Sequence, residues 1–125
     1  MNNPVGWFDI YVDDMQRAQA FYESVFNITL ENLSDPNDTG IVMKSFPHDM
    51  EKPGASGALV KMENMPAGQN SVVIYFSCDD CSIIESRITN AGGKIEKPKF
   101  SIGDCGFISL VVDTEGNIFG LHSMK

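Results

Sequence analysis

Hydrophobic and polar positions alternate from Val5 to Val12, with Trp7, Asp9 and Tyr11 on one side and Phe8, Ile10 and Val12 on the other. A period of two marks a half-buried strand. At Met15 the period changes: Met15, Ala18, Phe21, Tyr22, Val25 and Phe26 recur at helical spacing, and Asp13 or Asp14 stands where an N-cap is needed. Strand character returns over Ile28 to Leu33, breaks at the turn cluster Ser34 to Gly40, and resumes over Ile41 to Phe46. A Pro- and Gly-containing loop, Pro47 to Gly57, leads into a short strand, Ala58 to Met62, before the break at Pro66 to Asn70.

The pattern then starts again. Val72, Ile74 and Phe76 alternate with Val73, Tyr75 and Ser77, and Asp79-Asp80 introduces a helix carrying Ile83, Ile84 and Ile88. Ala91-Gly92-Gly93 closes that helix, because glycine accepts the left-handed backbone of a helix end. Strands are predicted at Lys94 to Glu96, Phe107 to Val112 and Ile118 to His122, the last two joined by a turn over Asp113 to Asn117.

Asp13-Asp14 and Asp79-Asp80 lie 66 residues apart, each ahead of a helix. The chain therefore reads as one domain, residues 1–125, built from two βαβββ modules, about 1–66 and 67–125. The fold class is α+β: two such modules side by side form a curved mixed sheet with helices outside and a concave ligand cup. Phe8, Ile10, Val12, Val72, Ile74 and Phe76 then pack under the helices. Trp7, Asp9, Tyr11, Val73, Tyr75 and Ser77 point into the cup, joined by Ile118, Gly120 and His122 if Phe119 and Leu121 point outward. A doubly wound nucleotide fold is the weaker reading, since one helix interrupts each set of strands and no Gly-rich phosphate loop is present.

Bulk properties narrow the partners. Net charge is −8 with no cluster of Lys or Arg, so the chain repels phosphate overall, and neither nucleic acid nor an anionic membrane is expected as a partner. No apolar run reaches membrane-spanning length, and the N-terminus lacks the basic and apolar regions of a signal peptide, so the expected location is cytoplasmic. Three cysteines, an odd number, do not suggest a disulfide framework.

These segments resemble the vicinal oxygen chelate superfamily, the glyoxalase and bleomycin-resistance proteins. The resemblance is carried by Trp7 to Met15 with Ala20-Phe21-Tyr22 and Val25-Phe26, by Tyr75 to Asp80, by Ala91 to Lys94, and by Asp113 to Asn117 with Gly120-Leu121-His122. It covers nearly the whole chain and is closest to bacterial single-domain proteins described as relatives of lactoylglutathione lyase. The superfamily includes isomerases, dioxygenases, epimerases, thiol transferases and antibiotic-binding proteins, so the resemblance implies a fold more than an activity. Its metal enzymes place a His, a His or Gln, and Glu residues on the cup strands. The matching positions here are Trp7, Val73 and Gly120, with a fourth near Leu59 to Met62, ahead of Glu63. Trp, Val and Gly do not ligate divalent cations, so no metal or other cofactor is expected and lactoylglutathione lyase chemistry does not carry over. The family also implies a homodimer, which would cover exposed sheet edges.

Several residues remain as candidates. Trp7, Tyr11 and Tyr75 share the cup face and could stack on a small organic molecule; alternatively Trp7 fills the space of an absent metal. Asp9 is expected to point inward and so to need a partner, with His122 and Lys61 as the structural choices, Lys61 also standing as a ligand-binding candidate. Asp9 with His122 could instead act as a metal-independent acid–base pair, or join Glu63 in a displaced metal site. His48 belongs to a solvated loop. Cys78-Asp79-Asp80-Cys81 is formally C-x-x-C at a helix start, open to redox, zinc or purely structural use. The leading expectation is a small-molecule-binding protein with a metal-free cup; the alternative is a lyase or isomerase working beside a carbonyl.

Overall fold

A computed structural model describes residues 3, 5–34, 40–68, 70 and 72–125. Its elements run β1 (Phe8–Tyr11), α1 (Met15–Phe26), β2 (Glu31–Leu33), β3 (Val42–Ser45), β4 (Gly57–Lys61), β5 (Tyr75–Ser77), α2 (Cys81–Ile88), β6 (Lys94–Ser101), β7 (Phe107–Val112) and β8 (Ile118–Ser123), with one 3-10 turn (Gly103–Cys105) between β6 and β7. Two βαβββ modules are thus present in the order expected.

Each helix starts where an aspartate can hold a free backbone N–H. Asp14 accepts from Arg17 N at 3.0 Å and Asp80 from Ser82 N at 2.9 Å, so the second aspartate of each pair is the N-cap. In α1 the buried side chains are Met15, Ala18, Phe21, Tyr22 and Val25, one stripe along the helix. The helix stops at Asn27, whose φ of 59° and ψ of 49° are left-handed; Asn tolerates that region better than most side chains.

The sheet expected from the sequence is divided into two four-stranded mixed sheets, ordered β1-β4-β3-β2 and β5-β8-β7-β6. β1 runs parallel to β4 and β5 parallel to β8, while the remaining pairs are antiparallel. Among the described residues no ladder joins β1 to β5, and each is the terminal strand of its sheet.

What unites the modules is a shared core. Ile10, Val12, Tyr22 and Leu59 from the first belong to the same buried cluster as Ile84, Ile88, Phe119 and Leu121 from the second. Tyr22 is central, packing its ring near Phe46, Phe76 and Phe119 at centroid distances of 5.5, 6.3 and 5.5 Å. Burying each such ring contributes roughly 1.5–3 kcal/mol.

Three expectations need correction. Val72 is not under a helix but 68% exposed, because β5 begins only at Tyr75, whereas Ile74 and Phe76 do pack against the core. The strand expected to stop at Glu96 runs to Ser101: register shifts between Lys97 and Phe100 accommodate Pro98, which has no N–H for a ladder. Lys61 has the parity of Leu59, which pairs with Ile10, and so lies on the face opposite Asp9.

Candidate functional site

A cleft of about 860 Å³ opens between β1 and the segment leading into β5, with Ile118 and Phe119 of β8 at its side. Its deepest lining includes Tyr22 and Phe119, both buried members of the shared core. Its rim carries Trp7, just ahead of β1, with Asp9 and Tyr11 of β1, and Val73 and Tyr75 across from them. Trp7 and Tyr75 are 41% and 46% exposed, so both rings offer a face to solvent. A volume of this size matches ordinary small-molecule sites.

Polar groups on the lining are few, and most are engaged. Asn70 Nδ2 donates to the carbonyls of Val72 (2.7 Å) and Ile118 (3.0 Å), and its Oδ1 accepts from Ile118 N. Asn117 Nδ2 donates to Tyr11 O at 2.9 Å, while its Oδ1 accepts from Gly68 N at 2.7 Å. These amides hold the walls in place. Asp9 Oδ1 accepts from Trp7 Nε1 at 3.1 Å, a contact between two residues of the same face. The Trp7 ring meets His48 edge-on at 6.0 Å, which brings that loop histidine against the rim.

The structure separates several residues that sequence reasoning grouped. Asp9 is exposed and paired with Trp7, so neither His122 nor Lys61 is the partner expected for it. His122 Nε2 lies 2.7 Å from the Cys105 carbonyl and is absent from the described lining of the cleft, as are Lys61 and Ser77. Asp9 and His122 therefore do not face one cavity. Tyr22, Asn70 and Asn117 escaped sequence reasoning as lining residues. Their signals lay elsewhere: Tyr22 in the helical stripe, Asn70 at the end of the Pro66–Asn70 break and Asn117 at the end of the Asp113–Asn117 turn.

That turn does more than reverse the chain. Asp113 Oδ1 accepts from the N–H groups of Glu115 and Asn117, and its Oδ2 from the Tyr22 hydroxyl at 2.6 Å. Burial pushes the Asp113 carboxyl up, despite those hydrogen bonds. Burial, and then the Asp113 charge, also hold the Tyr22 hydroxyl well above its usual range, so it remains a donor. Glu115 accepts from the N–H groups of Asp13 and Asp14 and takes Arg17 in a two-point contact of 2.7 and 3.0 Å. Burial opposes its charge, but Arg17 and these N–H groups outweigh burial and leave its carboxyl below the ordinary value. The second module's turn thus anchors the start of the first module's helix and the end of β1, fixing one wall of the cleft.

The family's metal chemistry can be tested on the donor set. Trp7, Val73 and Gly120 supply no ligand. A Cβ at position 120 would run into the Tyr75 ring, with Tyr75 Cγ 2.9 Å away, so tyrosine occupies the space a carboxylate side chain would need. Among the described residues no three His, Cys, Asp or Glu side chains are grouped to hold a metal ion. The residues present do not fit a metal centre here. The other candidate cluster is equally quiet: Cys81 is wholly buried against Ser123, and burial, then Cys81 and Asp80, push the Cys78 thiol up to about 12. A thiol that stays protonated is a poor nucleophile.

Fold and site together define an α+β protein of two βαβββ modules with a cleft between their first strands. The chain belongs to the Glyoxalase/Bleomycin resistance protein/Dioxygenase superfamily, whose profile matches residues 5–121. It is 28% identical over 120 residues to "Putative glyoxylase CFP32" of Mycobacterium bovis, covering 92% of this chain and 43% of that protein. It is 25% identical over 126 residues to "Anthracycline biosynthesis protein DnrV" of Streptomyces peucetius, covering 92% and 45%. The chain spans under half the length of both relatives. Among solved structures it resembles a V278E mutant of glyoxalase I from Zea mays, with a TM-score of 0.76, 19% identity, and coverage of 97% and 46%. No helix among the described residues is long and apolar enough to cross a membrane.

Proposed function

We propose that this chain binds a small organic molecule in the cleft between β1 and β5, without a metal ion. The observation that carries the proposal is the cleft itself: about 860 Å³, apolar at its floor and rimmed by Trp7, Tyr11 and Tyr75. Aromatic walls over an apolar floor favour a flat ligand, because ring stacking adds to the gain from removing apolar surface from water. One relative is named for anthracycline biosynthesis, and anthracyclines are planar aromatic compounds, which agrees with that preference. An acid–base enzyme built on Asp9 and His122 draws no support from the geometry, since His122 lies off the lining.

Trp7 is the chain's single tryptophan and stands at the rim, so its emission reports the cleft directly. Titration with a panel of planar aromatic compounds is expected to quench or shift that emission to saturation. Emission indifferent to every compound would remove the proposal. Divalent cations added to dialysed protein are expected to leave the melting temperature unchanged, and a clear rise would overturn the metal-free part.

A further inference from the structure

Asp9 is the only formally charged side chain among the described residues lining the cleft. Its Oδ1 is held by Trp7, and Oδ2 has no protein partner among the described residues. Asn70 and Asn117, the amides on the lining, are engaged with backbone and with each other's neighbourhood, not with the opening. The charged chemistry the cleft offers a ligand is therefore one carboxylate edge beside two exposed aromatic faces, Trp7 and Tyr75. No Lys, Arg or His is on the described lining to receive an anion, and His48, the imidazole near the rim, is turned to the Trp7 ring. The net charge of −8 favours the same sign of ligand over longer range.

Resting on the reading of the cleft as an organic-ligand site, we infer that its ligand is a planar aromatic cation, a fused-ring compound bearing a protonated nitrogen. Its rings lie against Trp7 and Tyr75 and its charge meets Asp9. An indole face attracts a cation through its quadrupole, and the carboxylate at its edge adds direct charge pairing. An anionic ligand of the same shape would bring its charge against Asp9 with nothing on the described lining to offset it.

The test compares three-ring compounds of similar outline by calorimetry near neutral pH: proflavine (cationic), acridine (neutral there) and anthraquinone-2-sulfonate (anionic). Each is titrated into wild type and Asp9→Asn. Asparagine keeps an oxygen for the Trp7 N–H, so the variant removes the charge and retains the contact that orients the ring. Proflavine is expected to bind most tightly and to weaken about threefold to fivefold in Asp9→Asn, with acridine unchanged. Equal binding of all three compounds would overturn the inference and leave the cleft as an organic-ligand site. A proflavine preference unaltered in Asp9→Asn would also overturn it, tracing the preference to overall charge. Binding of none would remove both the inference and the reading beneath it.

Discussion

In the first module the helix is the long element, 12 residues in α1 against 8 in α2; in the second the strands carry the length, with 8 residues in β6 and 6 in each of β7 and β8. The second sheet pairs β7 with β8 along both full strands, whereas β2 of the first contributes only 3 residues. The first module leans on the second to compensate. The N–H groups of Asp13 and Asp14, the carbonyl of Tyr11 and the hydroxyl of Tyr22 all find partners in the turn between β7 and β8. Equal element order does not mean equal roles: one module is the frame, and the other, sharing its core, is further hung from it by polar contacts. The cleft lies along the join, and most of its chemistry sits on the hung side.

The two modules also hold glycines in matching places with unequal surroundings. Gly57 of β4 pairs with Phe8 of β1, and Gly120 of β8 pairs with Tyr75 of β5. A Cβ at 57 would meet the backbone carbonyl of Phe8 as well as its ring, whereas at 120 the three nearest atoms belong to the Tyr75 ring. Backbone inside a ladder has little room to yield, but a half-exposed ring can swing away. Gly57→Ala is therefore expected to be the most damaging change, costing about 3–5 kcal/mol in urea denaturation. A cost near zero would show that β1 is not held against β4 as described.

Glu115→Ala comes next, at about 2–4 kcal/mol near neutral pH, because it strands two helix-start N–H groups and releases Arg17. Its pH dependence has a definite sign. The folded Glu115 carboxyl lies below its ordinary value of about 4.3. Its contribution is complete above that value and is lost as the pH falls through the folded pKa. The stability gap between wild type and Glu115→Ala should thus narrow on acidification below about pH 4; a constant gap would mean the carboxylate charge is not what anchors α1.

Tyr22→Phe removes one buried hydrogen bond while Asp113 keeps its backbone donors, so a loss of about 1–2 kcal/mol is expected. Gly120→Ala should cost about 1 kcal/mol or less in stability, since Tyr75 can rotate outward. Its mark would instead be on the cleft: weaker quenching of Trp7 by flat ligands, with the fold intact. Unchanged ligand response in that variant would exclude Tyr75 from the binding wall.

Much of this was legible along the chain because it rests on local periodicity. The switch from period two at Phe8–Val12 to helical spacing at Met15–Val25 follows from which side chains must face a core. The aspartate pairs 66 residues apart announced both helix starts. The same logic placed Trp7, Asp9, Tyr11, Val73 and Tyr75 on one opening, which they line together with Phe8, Ile10, Val72 and Ile74 of the opposite parity, whereas Ser77, Gly120 and His122 are absent from its described lining. Where a local rule failed, pairing with a strand distant in sequence overrode it. Pro98 and its charged neighbours hid the second half of β6, which survives by shifting register against β7.

By itself, then, the sequence determined the two-module repeat, the helix caps and the two faces of β1, since each depends on residues within a turn or two of one another. Only the tertiary structure decided the partners. It gave Asp9 to Trp7 rather than His122, turned Lys61 to the other face of its sheet, set the Tyr75 ring over Gly120, and sent Glu115 to the backbone N–H groups just ahead of the other module's helix. Those choices depend on how two sheets lie across a shared core, and no spacing along one strand encodes that distance.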